Sequence, residues 1–203
     1  DGKAEPYPRI GKWKKYSVSS GGSVLDDIEQ SLRHITATDE NVGLIWEPVI
    51  HVDDDNSFRL SGKKGFLPVN HQCTGIMHDI DEVSTSPLTH SCSVASCIQF
   101  VKSLAPELYD DVGMVVQASN RRGLSTAKNR VSIRIYMELS EPQTKQQLAK
   151  LFEPYVSTGL LDPIFSVGRC HLVRDPLVEG SIQRKFDGDS IVRINGNPLN
   201  IDA

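Results

Sequence analysis

Asp79 and Asp81 alternate with apolar residues in the segment running from Gly75 to Glu82. In an extended chain, residues i and i+2 point to one face, so both carboxylates can reach a single divalent cation. That geometry suits metal-assisted phosphoryl chemistry. The same pattern also describes a solvated acidic pair at a strand end. A third carboxylate, Asp162, follows Leu160 and Leu161 and precedes Pro163, at an element boundary where it can turn inward. Three carboxylates can hold two cations that activate an attacking 3′ hydroxyl and neutralise a triphosphate leaving group, whereas Asp before Pro, taken in isolation, reads first as an ordinary turn.

The most basic stretch of the chain is 119–130, with Arg121, Arg122, Lys128 and Arg130, the hydroxyls of Ser119 and Ser125, one glycine, and no acidic residue. Guanidinium forks, hydroxyl donors and free backbone N–H groups are what a phosphate-holding loop needs. A solvated hairpin loop has the same composition.

These residues need a scaffold, and hydrophobic periodicity supplies its outline. Ser23 caps a helix predicted over Val24 to Ile35, with Val24, Leu25, Ile28, Leu32 and Ile35 on one face and Asp26 and Asp27 in the first turn. Val42 to Trp46 is a candidate strand. The Asp79/Asp81 strand comes next, then a helix with Val94, Ile98, Val101 and Leu104 on one side, ended by Pro106. Strands are predicted at Val112 to Ala118 and Val131 to Glu138, and Pro142 is expected to open a helix carrying Leu148, Leu151 and Phe152. Shorter apolar runs follow at 160–165, 171–173 and 191–194. Interleaved strands and helices imply an α/β or α+β sheet domain over 23–203, preceded by an irregular arm over 1–22 that contains Trp13 and Tyr16.

Composition bounds the rest. With 203 residues, 38% hydrophobic and 24% charged, the chain can bury a sizeable core. A formal net charge of −4 excludes a generically basic nucleic-acid coat while leaving room for a local basic groove. Four irregularly spaced cysteines, Cys73, Cys92, Cys97 and Cys170, fit a reducing, cytoplasmic setting. His90, Cys92 and Cys97 form an incomplete zinc set, and core thiols are the simpler reading. Asp53 to Asp55 lack the alternation of a calcium loop and read as a solvated turn. No apolar run is long enough to span a membrane, and no signal peptide is evident. The chain opens on Asp1, as a piece of a longer protein would.

The order of these parts resembles the archaeo-eukaryotic primase superfamily, the primase-polymerases of plasmids, phages and mobile elements. The resemblance spans about 75–180. It rests on Ile76 to Asp81, Ser119 with its loop, the strand with Ser132, Arg134 and Tyr136, the Leu139 to Pro142 continuation, and Leu161-Asp162. It implies an α+β catalytic domain whose mixed or antiparallel central sheet is flanked by helices. It also implies a nucleotidyltransferase that makes or extends primers in DNA replication. Asp79, Asp81 and Asp162 would hold Mg2+ or Mn2+, while Arg134 and the loop residues Ser119, Arg121, Arg122, Ser125, Lys128 and Arg130 would grip the nucleoside triphosphate. A single-stranded DNA template and a helicase domain or partner are the expected associates, with Trp13 or Tyr136 available to stack on bases. Many members place histidine where this chain has Arg134, a permanent cation that cannot shuttle protons near neutral pH; His171 is a distant substitute.

Two other readings stand beside this one. A non-catalytic replication initiator or other nucleic-acid-binding module would use the basic loop and leave the carboxylates idle. A His-Asp-type metal-dependent phosphohydrolase would use His78 and Asp79 as an adjacent ligand pair, but such proteins are helical throughout and this segment reads as strand.

Overall fold

The computed structural model describes residues 13–14, 22–37, 43–45, 57–58, 72–84, 93–119, 130–162, 170–172 and 189–201. In chain order the elements are β1 (Trp13–Lys14), α1 (Val24–Ala37), β2 (Gly43–Ile45), β3 (Ser57–Phe58), β4 (Gln72–Ser84), α2 (Val94–Leu104), α3 (Pro106–Tyr109), β5 (Met114–Ala118), β6 (Arg130–Thr144), α4 (Lys145–Ser157), β7 (Cys170–Leu172) and β8 (Ile191–Ile194). The fold is α+β. Its centre is a four-stranded sheet in the order β4-β6-β5-β8, antiparallel throughout. Two short antiparallel pairs, β1 with β3 and β2 with β7, lie apart from this sheet.

Strand alternation gives the sheet two unlike faces. On one, Ile76, Ile80, Ile133, Ile135, Met137, Met114 and Val116 meet Val94, Ile98 and Val101 of α2, Leu108 and Tyr109 of α3, and Leu148 and Phe152 of α4. On the other, Met77, Tyr136, Val115 and Ile191 meet Leu25, Ile28, Leu32 and Ile35 of α1. The α1 stripe is the one the sequence period predicts. Its start is closed reciprocally: Ser23 N donates to Asp26 Oδ2 at 2.9 Å and Asp26 N to Ser23 Oγ at 3.3 Å. Hydrogen bonds to the carboxylate from the Ser23 backbone N–H and then from its side chain hold the Asp26 carboxyl below its usual value.

β6 departs from expectation. It continues through Pro142 to Thr144, and the helix starts at Lys145. The pairing jumps from Gly75↔Glu138 to Cys73↔Gln143, so Pro142 sits in an irregularity where its missing N–H breaks no ladder bond. Thr144 supplies the helix start, its hydroxyl accepting from Gln147 N at 3.3 Å while Gln147 Oε1 accepts from Thr144 N at 2.8 Å.

Residues 195–201 strap the base of the sheet. Gly113 N donates to Asn197 O at 2.8 Å, Leu199 N to Glu138 O at 2.7 Å, and Ser140 N to Leu199 O at 2.9 Å. The backbones of Gly113 and Gly196 pass so closely that a Cβ on Gly196 would sit 2.5 Å from Gly113 N. Only glycine fits there.

Candidate metal centre

Residues 77–80 are all buried, but they serve different faces. Across the sheet, Asp79 is in register with Arg134, Arg134 with Gln117, and Gln117 with Ile191. This row lies on the α1 face, beyond the Met77–Tyr136–Val115 row that α1 packs on. Next to it the pairing slips from Ile80↔Ile133 to Val83↔Val131, leaving Asp81 and Glu82 together opposite Ser132. Such a bulge bends the strand and re-aims a side chain.

Three carboxylates converge here. Asp79, Asp81 and Asp162 each offer an oxygen, and these oxygens lie within 4.8 Å of one another. Asp162 is brought in by the backbone: its N–H donates to Asp79 O at 3.0 Å, tying the turn after α4 to the middle of β4. Asp79 is 7% exposed, Asp81 is half-buried, and Asp162 lies towards solvent. Arg134, also buried, places Nε 3.5 Å from Asp79 Oδ1. Asp79 Oδ1 is a buried atom with no hydrogen-bond partner among the described residues. Burial raises the Asp79 carboxyl above its ordinary value, Arg134 opposes the rise, and the charges of Asp81 and Asp162 add to it.

An all-oxygen donor set selects a hard cation. Oxygens on opposite sides of a Mg2+ ion lie about 4.2 Å apart, and around Ca2+ about 4.6–5.2 Å, so oxygens all within 4.8 Å of one another are close enough to share a divalent ion. Asp79 Oδ1 is buried with the Arg134 guanidinium as its ion-pair partner at 3.5 Å, and a cation held by the carboxylates would add to that partial compensation for lost solvation.

Ser132 is the residue that sequence reading left out of the site. Its hydroxyl donates to Asp81 Oδ1 at 2.6 Å. The available signal was its place two residues before Arg134 on the same strand face. Gln117 belongs to the same row, its Oε1 accepting from Tyr136 OH at 3.3 Å. Burial raises the Tyr136 hydroxyl well above its usual range, so it stays protonated.

The expected nucleotide-binding residues divide. Arg134 lies at the carboxylates. Ser119 follows the last residue of β5, is buried, and spends its backbone N–H on Ser132 O at 2.9 Å, so that amide serves the sheet and not a phosphate. Arg121, Arg122, Ser125 and Lys128 lie outside the described residues, as do His90 and Cys92. Arg130 begins β6, and His171 lies in β7 opposite Leu44. Tyr136 is fully buried beneath α1, which removes it as a base-stacking platform.

His78 turns away from Asp79. It packs edge-on against Phe152 and Tyr109, with ring centroids 4.6 and 5.8 Å away, and its Nδ1 lies 2.9 Å from Tyr109 OH. Burial pulls it down to about 3, so it is neutral at ordinary pH. Adjacent strand residues facing opposite ways cannot ligate one ion, and the His78–Asp79 pair is therefore not a shared ligand set.

Among the described residues no helix is long and apolar enough to cross a membrane. No family model, curated protein or solved structure matches the chain.

Proposed function

We propose that the protein is a metal-dependent nucleotidyltransferase of primase-polymerase type, acting on nucleoside triphosphates along a single-stranded DNA template. The observation that carries this reading is the convergence of Asp79, Asp81 and Asp162 on one sheet face with Arg134 in register beside them. Asp79, Asp81 and Asp162 would hold Mg2+ or Mn2+. When bound, such ions activate a 3′ hydroxyl and neutralise charge on a leaving pyrophosphate. Arg134 supplies a fixed cation for phosphate oxygens at the edge of the carboxylate group, and its planar fork suits two oxygens at once. Sheet register sets the Asp79–Arg134 spacing, so the chain contributes positioning and electrostatics, with no covalent protein intermediate.

The test is manganese- or magnesium-dependent nucleotide incorporation on a primed and an unprimed single-stranded template. Asp79→Ala and Asp81→Ala should abolish it with the fold retained; full activity in either ends the proposal. Arg134→Ala should chiefly raise the half-saturating nucleotide concentration.

The Arg134–Asp79 ion pair also favours a second reading. It balances one carboxylate without any metal, as a non-catalytic nucleic-acid-binding module would require. Single-stranded DNA binding that ignores EDTA and Asp79→Asn, with no synthesis, would select that module.

A further inference from the structure

We propose that Ser132 is a positioning residue of the metal centre: its hydroxyl fixes the rotation of the Asp81 carboxylate, so that Asp81 joins Asp79 and Asp162 on one cation. The inference rests on the metal reading of the carboxylate group given above and adds to it a residue that determines cation affinity.

Among the described residues the three aspartates are held in different ways. Asp79 faces the Arg134 guanidinium, held there by cross-strand register. Asp162 is anchored through its own backbone N–H to Asp79 O. Asp81 is only half-buried and sits in the bulge, where the ladder no longer dictates where its side chain goes. Among the described residues the Ser132 hydroxyl donates to it at 2.6 Å, a length typical of a charge-assisted O–H···O bond. Ser132 itself is 2% exposed, and its strand position is locked by Val131 and Ile133 in the core of the opposite face. A donor that rigid holds Oδ1 and so fixes the orientation of a carboxylate that has one oxygen within 4.8 Å of ligand oxygens of Asp79 and Asp162. Without it, Asp81 is free to rotate into water, and a cation would have to bear the cost of ordering it.

Direct titration of the full chain with Mn2+, followed by loss of the free-ion electron paramagnetic resonance signal, tests this without reference to activity. Ser132→Ala should weaken Mn2+ binding by about 10–100-fold, the usual effect of removing a group that orients a ligand. Ser132→Thr, which keeps the hydroxyl, should restore most of the affinity. Ser132→Cys has nearly the same volume and a poor donor, and should behave like Ser132→Ala; it carries the test should the alanine variant fail to fold. In an Asp81→Asn background, Ser132→Ala should cause no further loss, because the two act through one ligand. If the wild type binds Mn2+ and the alanine and cysteine variants bind it equally well, the role of Ser132 is overturned while the metal centre stands. A wild type that binds no Mn2+ overturns the metal centre and the role of Ser132 with it.

Discussion

The two faces of the central sheet treat ionisable groups in opposite ways, and His78 and Asp79, neighbours in β4, make the contrast sharp. His78 enters the face sealed by α2, α3 and α4, where burial keeps it neutral and Tyr109 OH occupies Nδ1. Asp79 enters the face that α1 covers only in part, among two more carboxylates and an arginine. Desolvation shifts both groups toward their neutral forms, yet only one environment retains charges that a ligand could satisfy. Burial alone therefore does not mark a functional site. Like charges gathered beside a buried carboxylate carry a cost that a bound cation would relieve, which is the feature the His78 side lacks.

Breaking the sealed face should have the largest effect. Phe152 is fully buried against the sheet, and Phe152→Ala should cost about 3–5 kcal/mol of stability, read by urea denaturation. A loss under ~1 kcal/mol would mean that α4 is not part of the cooperative core.

The His78 environment predicts an acid limb. Its folded-state value of about 3 lies below the ordinary 6.5, so the unfolded chain takes up a proton that the folded chain refuses. Stability should be full above pH 6.5 and fall as the pH drops toward 3. His78→Gln, which cannot gain that proton, should show a shallower decline in melting temperature between pH 7 and pH 4. Parallel curves would contradict the assignment.

Asp79 has the opposite sign. Its raised value means that the folded state holds the proton better than the unfolded state does, so its contribution is present at low pH and is lost as the pH rises through that value. In metal-free buffer at pH 7, Asp79→Asn should melt higher than the wild type by a few degrees, and the gap should narrow on acidification. Excess Mg2+ should stabilise the wild type and leave the variant unmoved. A variant that melts lower at pH 7 without metal would show that the ion pair with Arg134 outweighs the repulsion.

The smallest effect serves as the control. Thr144→Ala removes the hydroxyl that starts α4 on the sealed face and should cost about 1 kcal/mol. Its Mn2+ affinity should match that of the wild type. A matching loss of affinity would mean that the two faces are coupled.

Local signals in the sequence located most helices. The α1 stripe, Ser23 at its start and Pro106 at the end of α2 all act within a few residues, and the structure has α1 at Val24–Ala37 and α2 at Val94–Leu104. Pro142 misled because its usual place is a helix start, and only the long-range pairing of Cys73 with Gln143 reveals the irregularity that accommodates it. The Asp79/Asp81 pair was legible from two-residue spacing. That Asp162 reaches them depends on a hydrogen bond between segments far apart in sequence, which no local pattern encodes. The register that sets Asp79 beside Arg134 and Asp81 opposite Ser132 is likewise made by strand pairing, and the bulge that adds Glu82 beside Asp81 has no composition signature.

The strap over residues 195–201 bears on how the domain forms during synthesis. Its hydrogen bonds to Asp111, Gly113, Glu138 and Ser140 join chain made late to strands made much earlier. Until residues 191–194 clear the ribosome the edge beside β5 lacks β8, and until residue 199 follows the lower rim of β5 and β6 stays open. The nascent domain must therefore wait in an incomplete form, with an unpaired strand edge that a chaperone could shield.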